Sequence, residues 1–269
     1  MIEAYPLELT AGETHLWVCP ADAAPDAHVQ ALARDWMSSG ELARCNRFVL
    51  EPDRHRYLLA RLLARDVLSR YAGVPPPLLR FEASRHGRPE LAGQPTDSPR
   101  VRFNITHTHG LVALAAARDA AIGIDAEWSG RDISPDLGHR VFSPAEWAAW
   151  SVLPTEQQRE RSLALWTLKE SYVKARGVGL SLGLDRFGFR FGGQPSIALD
   201  FPPDFDDHPQ RWDVQLLRSR TDHYLAVCRE RTLSRVCHSR AWEYFPLLPP
   251  RPVELAQVAA TGHDATDGG

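Results

Sequence analysis

Three acidic residues, in two separate stretches of the chain, have side chains that could bind a divalent cation. Asp125 and Glu127 follow the apolar run Ala121–Ile124, which predicts a strand, and alternate residues of a strand project from the same face. Two carboxylates this close resist joint ionisation unless a cation balances them, and Mg²⁺ is commonly held by such carboxylates together with substrate phosphates. Glu170 could supply a third oxygen ligand. The simpler interpretation is a strand end with ordinary surface acids, because an Asp-x-Glu pair alone is a weak motif.

The lysine usage of the chain singles out the segment around Glu170. Of the 31 basic residues only two are lysines, Lys169 and Lys174, and both flank Glu170 in a predicted helix over 155–175. Trp166, Glu170 and Lys174 are spaced four apart, which places them on one helix face. Because lysine is a compact point charge and arginine a planar fork, the two are poorly interchangeable at a tight phosphate or metal site. The alternative is chance within an arginine-rich composition.

Other side chains could bind an anion that accompanies the cation. Thr106 and His107 offer a hydroxyl and a ring N–H to a phosphate, although a single histidine is more often structural. An arginine-rich segment precedes them, and arginine binds phosphate through paired hydrogen bonds, although such a charge run is usually a solvated helix face. Its members are Arg44, Arg47, Arg54, Arg56, Arg61, Arg65 and Arg70.

Composition excludes several other classes of protein. A hydrophobic content of 43%, a charged content of 24% and a net charge of -3 are ordinary for a globular protein and give no reason to expect nucleic acid or an anionic membrane as partner. The N-terminus lacks the pattern of a signal peptide, and the longest apolar run, Leu111–Ala117, is too short to span a bilayer. The four cysteines form no C-x-x-C pair and are expected to be buried free thiols. We therefore expect a cytoplasmic protein.

The elements that must position these residues repeat along the chain. Two long helices are predicted, over 52–71 and 155–175, and each is followed by a strand with an Arg-Phe pair that reaches a proline after the same interval. This echo predicts an α+β fold of two similar α/β halves, at 1–122 and 123–230. A seam between such halves is a natural ligand cleft.

Two further predictions concern strand pairing and the end of the chain. The runs 111–117 and 121–127 are joined by three residues, a pattern typical of an antiparallel hairpin. Residues 231–269 are predicted to be a C-terminal extension, and its last part is expected to be flexible because it is rich in Pro and Ala.

Four motifs together resemble a known family. Phe103–His107, Ile122–Glu127 and Trp166–Lys174 resemble the three signature motifs of the 4′-phosphopantetheinyl transferases, in the same order and with the spacing of the long, monomeric surfactin-type branch. His86–Pro89 resembles the Gly-Lys-Pro element of that branch. The resemblance covers roughly residues 44–191.

The resemblance implies roles for individual residues. Asp125, Glu127 and Glu170 would hold Mg²⁺ on the diphosphate of coenzyme A, and Lys174 would contact a phosphate. The residues implied for the 3′-phosphate and the neighbouring phosphates are Arg44, Arg88, Thr106 and His107, with Arg56 at a further basic position of the family.

This chain departs from the family pattern at three of its positions. Glu41 stands where relatives often have a second basic residue, Thr106 replaces the commoner serine, and Arg88 replaces the usual lysine. Glu146 matches a family glutamate ahead of the third motif. The acidic residue at position 41 predicts a 3′-phosphate contact that is weaker or rebuilt from Arg47.

The family reaction agrees with the chemistry of these residues. The serine hydroxyl of an apo acyl, peptidyl or aryl carrier protein would attack the β-phosphate of coenzyme A, and 3′,5′-ADP would leave. This is the reaction of a holo-[acyl-carrier-protein] synthase. Glu170, or a water that it holds, is the candidate base. The alternatives are a non-catalytic protein that binds coenzyme A or a carrier, and a metal-dependent phosphohydrolase. The sequence does not identify the carrier.

Overall fold

The computed structural model describes residues 7–23, 26–84, 87–95, 99–193, 196–232 and 238–261, so that His86 and Cys237 lie outside the described residues. The helices are α1 Asp26–Trp36, α2 Ser39–Cys45, α3 Glu51–Ala72, α4 Pro135–Val141, α5 Pro144–Ser151 and α6 Thr155–Arg176. The strands are β1 Glu13–Pro20, β2 Phe81–Ala83, β3 Pro89–Leu91, β4 Val101–Thr108, β5 Leu111–Arg118, β6 Ile122–Trp128, β7 Gly188–Phe191, β8 Ser196–Asp200, β9 Trp212–Arg218, β10 His223–Glu230, β11 His238–Glu243, β12 Arg251–Pro252 and β13 Ala256–Thr261.

Two sheets, each packed against one long helix, form the two halves of the molecule. The first sheet has the strand order β12-β11-β1-β5-β4 and packs against α3, and the second has the order β6-β10-β9-β13-β8-β7 and packs against α6. A short hairpin follows each long helix, β2–β3 after α3 and β7–β8 after α6. The predicted α+β fold of two similar halves is confirmed.

The two long helices end in the same way. Each has 22 residues and is followed by a glycine in the left-handed conformation, Gly73 with φ 64° and Gly177 with φ 67°. Glycine adopts this conformation without the steric cost that a Cβ atom would add, which makes it the usual residue at this position. The N-terminus of α5 has the predicted capping box, in which Ser143 and Glu146 accept hydrogen bonds from each other's backbone N–H.

Three clusters of buried apolar side chains form the interior. One lies between α3 and the first sheet, and another between α6 and the second sheet. The third lies between the two sheets and takes side chains from β1, β5, β6, β9 and β10. Strand β5 serves two of them, since Val112 and Leu114 face α3 whereas Ala113 and Ala115 face the other sheet. The halves are therefore joined by a continuous apolar contact.

The predicted hairpin between 111–117 and 121–127 is wrong. Strand β5 pairs with β1 and β4, and β6 pairs with β10 in the other sheet. The two strands meet through their apolar side chains in the third cluster, and the short connection carries the chain from one sheet to the other. Both strands are buried on two faces, so their composition could not indicate which backbone each pairs with.

The C-terminal region contributes strands to both sheets. Strand β11 pairs in parallel with β1, and Tyr244, which follows it, is buried in the first apolar cluster. Strand β13 pairs with β9 and β8 in the second sheet. The sequence prediction placed 231–269 outside both halves as an extension, whereas residues 238–261 complete the sheets of both. The Pro and Ala content of this region obscured its short strands.

The described cysteines are buried, and the described helices are not of the membrane-spanning kind. Cys19, Cys45 and Cys228 are free thiols in the interior, as predicted. Burial raises the pKa of the Cys19 thiol to about 12. Among the described helices, none combines the length and the apolar composition needed to cross a bilayer.

Gly123 allows α6 to lie directly on β6. A Cβ atom at this position would lie 2.1 Å from the carbonyl oxygen of Ser171 and 2.3 Å from the backbone nitrogen of Ala175, both in α6. These distances are well below normal contact, so any other residue would push the helix and strand apart. The side chains of Glu170 and Lys174 owe their position beside β6 to this contact.

We predict that Gly123→Ala destabilises the protein, because the added methyl group overpacks the contact between α6 and β6. Such overpacking typically costs about 1–3 kcal/mol of unfolding free energy, which urea denaturation would measure. Gly193→Ala is the matched control, because no atom lies within 4 Å of a Cβ built there. Equal stability of the two variants would contradict the prediction.

Candidate functional site

The edge strands of the two sheets, β4 and β6, face each other along the seam between the halves. They run in the same direction, since residues further along β4 bond to residues further along β6. Side chains of β4 make three hydrogen bonds to β6, and two of the three involve the acidic residues of β6, Asp125 and Glu127. The bonds run from Ile124 N to Asn104 Oδ1 at 3.0 Å, from Thr106 Oγ1 to Asp125 Oδ1 at 3.1 Å and from Thr108 Oγ1 to Glu127 Oε2 at 3.3 Å.

Asp125 is the centre of the acidic cluster. Its side chain is 7% exposed, and its Oδ1 atom accepts hydrogen bonds from Thr106 and, at 2.6 Å, from Lys174 Nζ. Lys174 Nζ also donates to Thr106 Oγ1 at 3.2 Å. The other carboxylate oxygen, Asp125 Oδ2, is buried and has no hydrogen-bond donor among the described residues. A buried, unsatisfied carboxylate oxygen is costly unless a ligand occupies it.

Glu127 lies on the same face of β6 as Asp125, as predicted, and has an unusual pKa. Its side chain is 7% exposed and forms an ion pair with Arg131. Burial, followed by the negative charge of Asp125, raises the pKa of Glu127 from an ordinary 4.5 to about 7, although Arg131, Thr108 and Trp166 act in the opposite direction. The site therefore contains a carboxyl group that a further positive charge would stabilise in its ionised form.

Glu170 faces the same cluster from α6. Burial, followed by the charge of Asp125, raises the pKa of Glu170, while Lys174 and Arg131 lower it. Its carboxylate has no hydrogen bond or ion pair to any described residue within normal bonding distance. The predicted face of α6 is thus directed at the acidic pair of β6, with Trp166 beside Glu127 and Lys174 on Asp125.

The donor set fits a divalent cation, although no cluster of three acidic, histidine or cysteine side chains in the described part of the chain is already arranged around one. The carboxylates of Asp125, Glu127 and Glu170 are hard oxygen donors of the kind that Mg²⁺ prefers. Asp125 raises the pKa of both glutamates, which places the three groups within electrostatic reach of one another. The unsatisfied Oδ2 of Asp125 supplies a position for the ion.

A basic region adjoins the acidic cluster. His107 follows Thr106 at the solvent-exposed end of β4. Loss of water around the imidazole, followed by the positive charges of Arg56 and Lys174, lowers the pKa of His107. The lowered pKa favours the neutral imidazole, which can donate one ring N–H. Arg56 lies in the first turns of α3 and forms an ion pair with Asp53. The basic region therefore brings together Arg56, His107 and Lys174, three of the residues predicted to bind phosphates.

Arg61 belongs to this basic region, although the sequence analysis counted it only as part of a charge run. Its guanidinium lies 5.8 Å from the ring centre of Tyr57, and its positive charge also lowers the pKa of His107. The Nε atom of Arg61 is buried and has no hydrogen-bond acceptor among the described residues. Arg44 is exposed on α2 and contacts the same Tyr57 ring at 5.8 Å. The described contacts do not bring Arg44 to His107.

Glu41, the acidic departure from the family pattern, binds arginines of α3. Its Oε2 atom accepts a 2.6 Å hydrogen bond from Arg65 Nη2, and its Oε1 atom lies 3.8 Å from Arg61 Nη1. The hydrogen bonds from Ser38 and Arg65 lower the pKa of Glu41 in spite of its burial, which keeps it ionised. At this position the chain therefore neutralises an arginine instead of adding a second cation.

Arg88, which the resemblance implies for phosphate binding, does not project into the basic region. Its guanidinium is turned inwards and donates to three backbone carbonyls: to Lys174 O at 2.9 Å, to Phe103 O at 2.7 Å and to Ile122 O at 2.8 Å. These carbonyls belong to the end of α6, to β4 and to the start of β6. Arg88 thus ties together the three elements that carry the site. Its chemistry as an arginine, a planar fork of donors, suits this role.

Lys169 also has a structural position. It is fully buried, pairs with Glu146 Oε2 at 2.7 Å, and donates to the carbonyls of Leu184, at 2.8 Å, and Phe187. Burial lowers the pKa of Lys169, and Glu146 opposes that shift. Glu146 is further bound by the backbone N–H groups of Ser143 and Phe189. The two lysines therefore differ in role, since only Lys174 reaches the acidic cluster.

We predict that Arg88→Lys lowers the unfolding free energy, because the three bonds come from two separate guanidinium nitrogens, Nη1 and Nη2, and lysine has a single nitrogen to replace both. The expected loss is about 1–3 kcal/mol, the cost of leaving buried hydrogen-bonding groups unsatisfied, measured by urea denaturation. Arg102→Lys is the matched control, since Arg102 is more exposed and makes one ion pair. If Arg88 instead bound a phosphate, the variant would weaken ligand binding at unchanged stability.

We predict that Glu127 makes the ligand-free protein less stable as pH rises. The pKa in the folded protein, about 7, lies above the ordinary 4.5, so folding favours the protonated form. The stability contribution is therefore complete below about pH 4.5 and is lost as pH rises through about 7. The difference in unfolding free energy between the protein and Glu127→Gln should decline across this interval, and a pH-independent difference would contradict the assignment. Carboxyl ¹³C NMR would give the midpoint directly.

Comparison with known proteins identifies the family. The sequence profile described as the 4′-phosphopantetheinyl transferase superfamily matches residues 121–228, which span the second half from β6 to β10. A profile described as 4′-phosphopantetheinyl transferase, N-terminal, matches residues 24–119, which span the first half from α1 to β5. The two profiles therefore meet at the crossing between β5 and β6.

Individual relatives agree with the profiles. The 4′-phosphopantetheinyl transferase HetI of Nostoc sp. is 37% identical over 177 residues, 65% of this chain and 73% of that protein. The 4′-phosphopantetheinyl transferase Sfp of Bacillus subtilis is 32% identical over 193 residues, 72% of this chain and 82% of that protein. A crystal structure of the Thermotoga maritima holo-[acyl-carrier-protein] synthase aligns with 42% of this chain and 63% of its own, at 21% identity and a TM-score of 0.35, a likeness too low to add to this conclusion. The chain belongs to the 4′-phosphopantetheinyl transferase superfamily, in its surfactin-type branch.

Proposed function

We propose that the protein transfers the 4′-phosphopantetheine group from coenzyme A to a serine of an apo carrier protein, in a Mg²⁺-dependent reaction that releases 3′,5′-ADP. The observation that carries the proposal is the meeting of Asp125 and Glu127 on β6 with Glu170 and Lys174 on α6. Phosphoryl transfer depends mainly on charge neutralisation and positioning, and this cluster can provide both.

Each charged group has a part in binding the diphosphate. Asp125, Glu127 and Glu170 would hold Mg²⁺, which when bound supplies positive charge to the diphosphate oxygens. Lys174 is already fixed by Asp125 and Thr106, so its ammonium is pre-oriented to offset the negative charge that develops on a phosphate. The basic region of Arg56, Arg61 and His107 lies beside this position and would take the 3′-phosphate, with Arg44 at its exposed edge.

Glu170 is the proposed acceptor of the serine proton. Its raised pKa makes it a better proton acceptor than an ordinary carboxylate, and no hydrogen bond to a described residue competes for its oxygens. The role as metal ligand and the role as base use different lone pairs of the same carboxylate. A water bound to Glu170 could carry the proton from the serine to the carboxylate. The first role needs only the charge of the side chain, whereas the second needs its basicity.

The remaining features of the proposal concern the whole molecule. We propose that it acts as a monomer in the cytoplasm, with its two halves divided near residue 122 and coenzyme A bound in the seam. One chain supplies β4, β6 and α6, so that the proposed site needs no residue from a second copy. The carrier would be an acyl, peptidyl or aryl carrier protein.

The proposal predicts that Glu170→Gln abolishes most of the transfer. The protein is incubated with coenzyme A, Mg²⁺ and a panel of apo carriers, and mass spectrometry measures the gain of phosphopantetheine on the carrier serine. We expect the rate to fall by about 10²–10⁴-fold, the usual contribution of a general base. Glu156→Gln, at the exposed first turn of the same helix, is the matched control and should retain activity.

The same assay separates the competing functions. Calorimetric binding of coenzyme A without modification of any carrier would favour a non-catalytic binding protein. Release of phosphate from small esters without a carrier would favour a phosphohydrolase. Transfer by Glu170→Gln at the unchanged rate would remove Glu170 from the mechanism while leaving the family assignment intact.

A further inference from the structure

Arg131 occupies a position at the proposed metal site that the sequence motifs do not mark. It ends the turn that follows β6, where its backbone N–H donates to the carbonyl of Trp128 at 2.9 Å. Its guanidinium forms an ion pair with Glu127 Oε1 and lies 5.2 Å from the ring centre of Trp166 on α6. The side chain is 40% exposed, whereas that of Glu127 is 7% exposed. Arg131 is therefore the exposed member of a pair whose other member is buried.

The two carboxylates on β6 differ in the oxygens that they leave open. Asp125 offers its buried Oδ2 atom, so a cation can bind there without disturbing Lys174 on Oδ1. Both oxygens of Glu127 are in use, since Thr108 donates to Oε2 at 3.3 Å and Arg131 binds Oε1. A metal ion that uses Glu127 must displace one of these donors or share an oxygen with it. Arg131 is the one with room to move.

Trp166 can hold the guanidinium of Arg131 after it leaves Glu127. An arginine above an indole ring is held by a cation–π interaction that does not require Glu127. If the ion pair breaks, the guanidinium can therefore remain at the mouth of the site, above Trp166 and next to the metal position. An anion that arrives with the metal would find this positive charge unpaired. The diphosphate of coenzyme A is such an anion.

From these contacts we infer that Arg131 is a displaceable counter-ion, which holds the place of the metal on Glu127 and moves to the diphosphate when coenzyme A binds. The inference rests on the proposed function, because it assumes a divalent cation at Glu127. Its consequence is coupling between ligands. Without coenzyme A, the metal must compete with Arg131 and binds weakly, and with coenzyme A the competitor is drawn away. By linkage, the metal strengthens coenzyme A binding by the same factor.

Metal binding measured without turnover tests the inference. Binding of Mn²⁺ alone is followed by electron paramagnetic resonance, with and without coenzyme A, for the protein, Arg131→Gln and Arg131→Lys. We expect Arg131→Gln to bind Mn²⁺ about two- to fivefold more tightly in the absence of coenzyme A, the range for removing a partly exposed ion pair. In Arg131→Gln, coenzyme A should increase the Mn²⁺ affinity by a smaller factor than it does in the unmutated protein. Arg131→Lys keeps the charge and should restore most of the competition.

Arg190→Gln is the matched control, since Arg190 is an exposed arginine paired with Asp200 on the far hairpin, and it should leave Mn²⁺ binding unchanged. Equal or weaker Mn²⁺ binding by Arg131→Gln would overturn the role of Arg131 while the metal site itself stands. An unmutated protein that binds no Mn²⁺ even with coenzyme A would overturn both this inference and the proposed metal-dependent reaction. The two failures are thus distinguishable.

Discussion

The close approach of α6 to β6 at Gly123 is the contact on which the site depends. It brings a helix face that carries Glu170 and Lys174 against a strand that carries Asp125 and Glu127, in a part of the molecule sheltered from solvent. In such a setting burial disfavours the ionised form of each glutamate, the charge of Asp125 adds repulsion, and the pKa of both Glu127 and Glu170 rises. Lys174 and Arg131 offset part of this repulsion without removing it. The backbone geometry thus creates the electrostatic conditions for cation binding.

Much of this arrangement could be predicted from local sequence patterns. The helix over 155–175 has an apolar stripe and a terminal glycine, and the pair Asp125 and Glu127 follows the two-residue period of a strand. These signals depend on neighbours along the chain. The pairing of β6 with β10 and the inward turn of Arg88 depend on residues far away in sequence. No local pattern contains that information, so the predicted hairpin was wrong and the inward turn of Arg88 was not predicted.

The two lysines illustrate a second limit of sequence reasoning. Their rarity correctly indicated that this helix was unusual, but rarity did not separate their roles. Lys169 has a structural role, since its compact ammonium donates to two carbonyls and to Glu146 in the interior. Lys174 meets the acidic cluster at the mouth of the seam. The two roles differ because Lys169 and Lys174 lie on different faces of the helix, and only Lys174 is directed at the acidic cluster.

The pairing of β1 with β11 has a consequence for how the chain acquires its structure during synthesis. Strand β1 begins the first sheet but pairs with residues 238–243, which leave the ribosome only after strands β2 to β10. Until then β1 is an unprotected edge and the space filled by Tyr244 stays open to water. Contacts between residues this distant in sequence form slowly, because a long loop must close first. The first half therefore keeps an open strand edge and an unfilled apolar site until β11 and Tyr244 are in place.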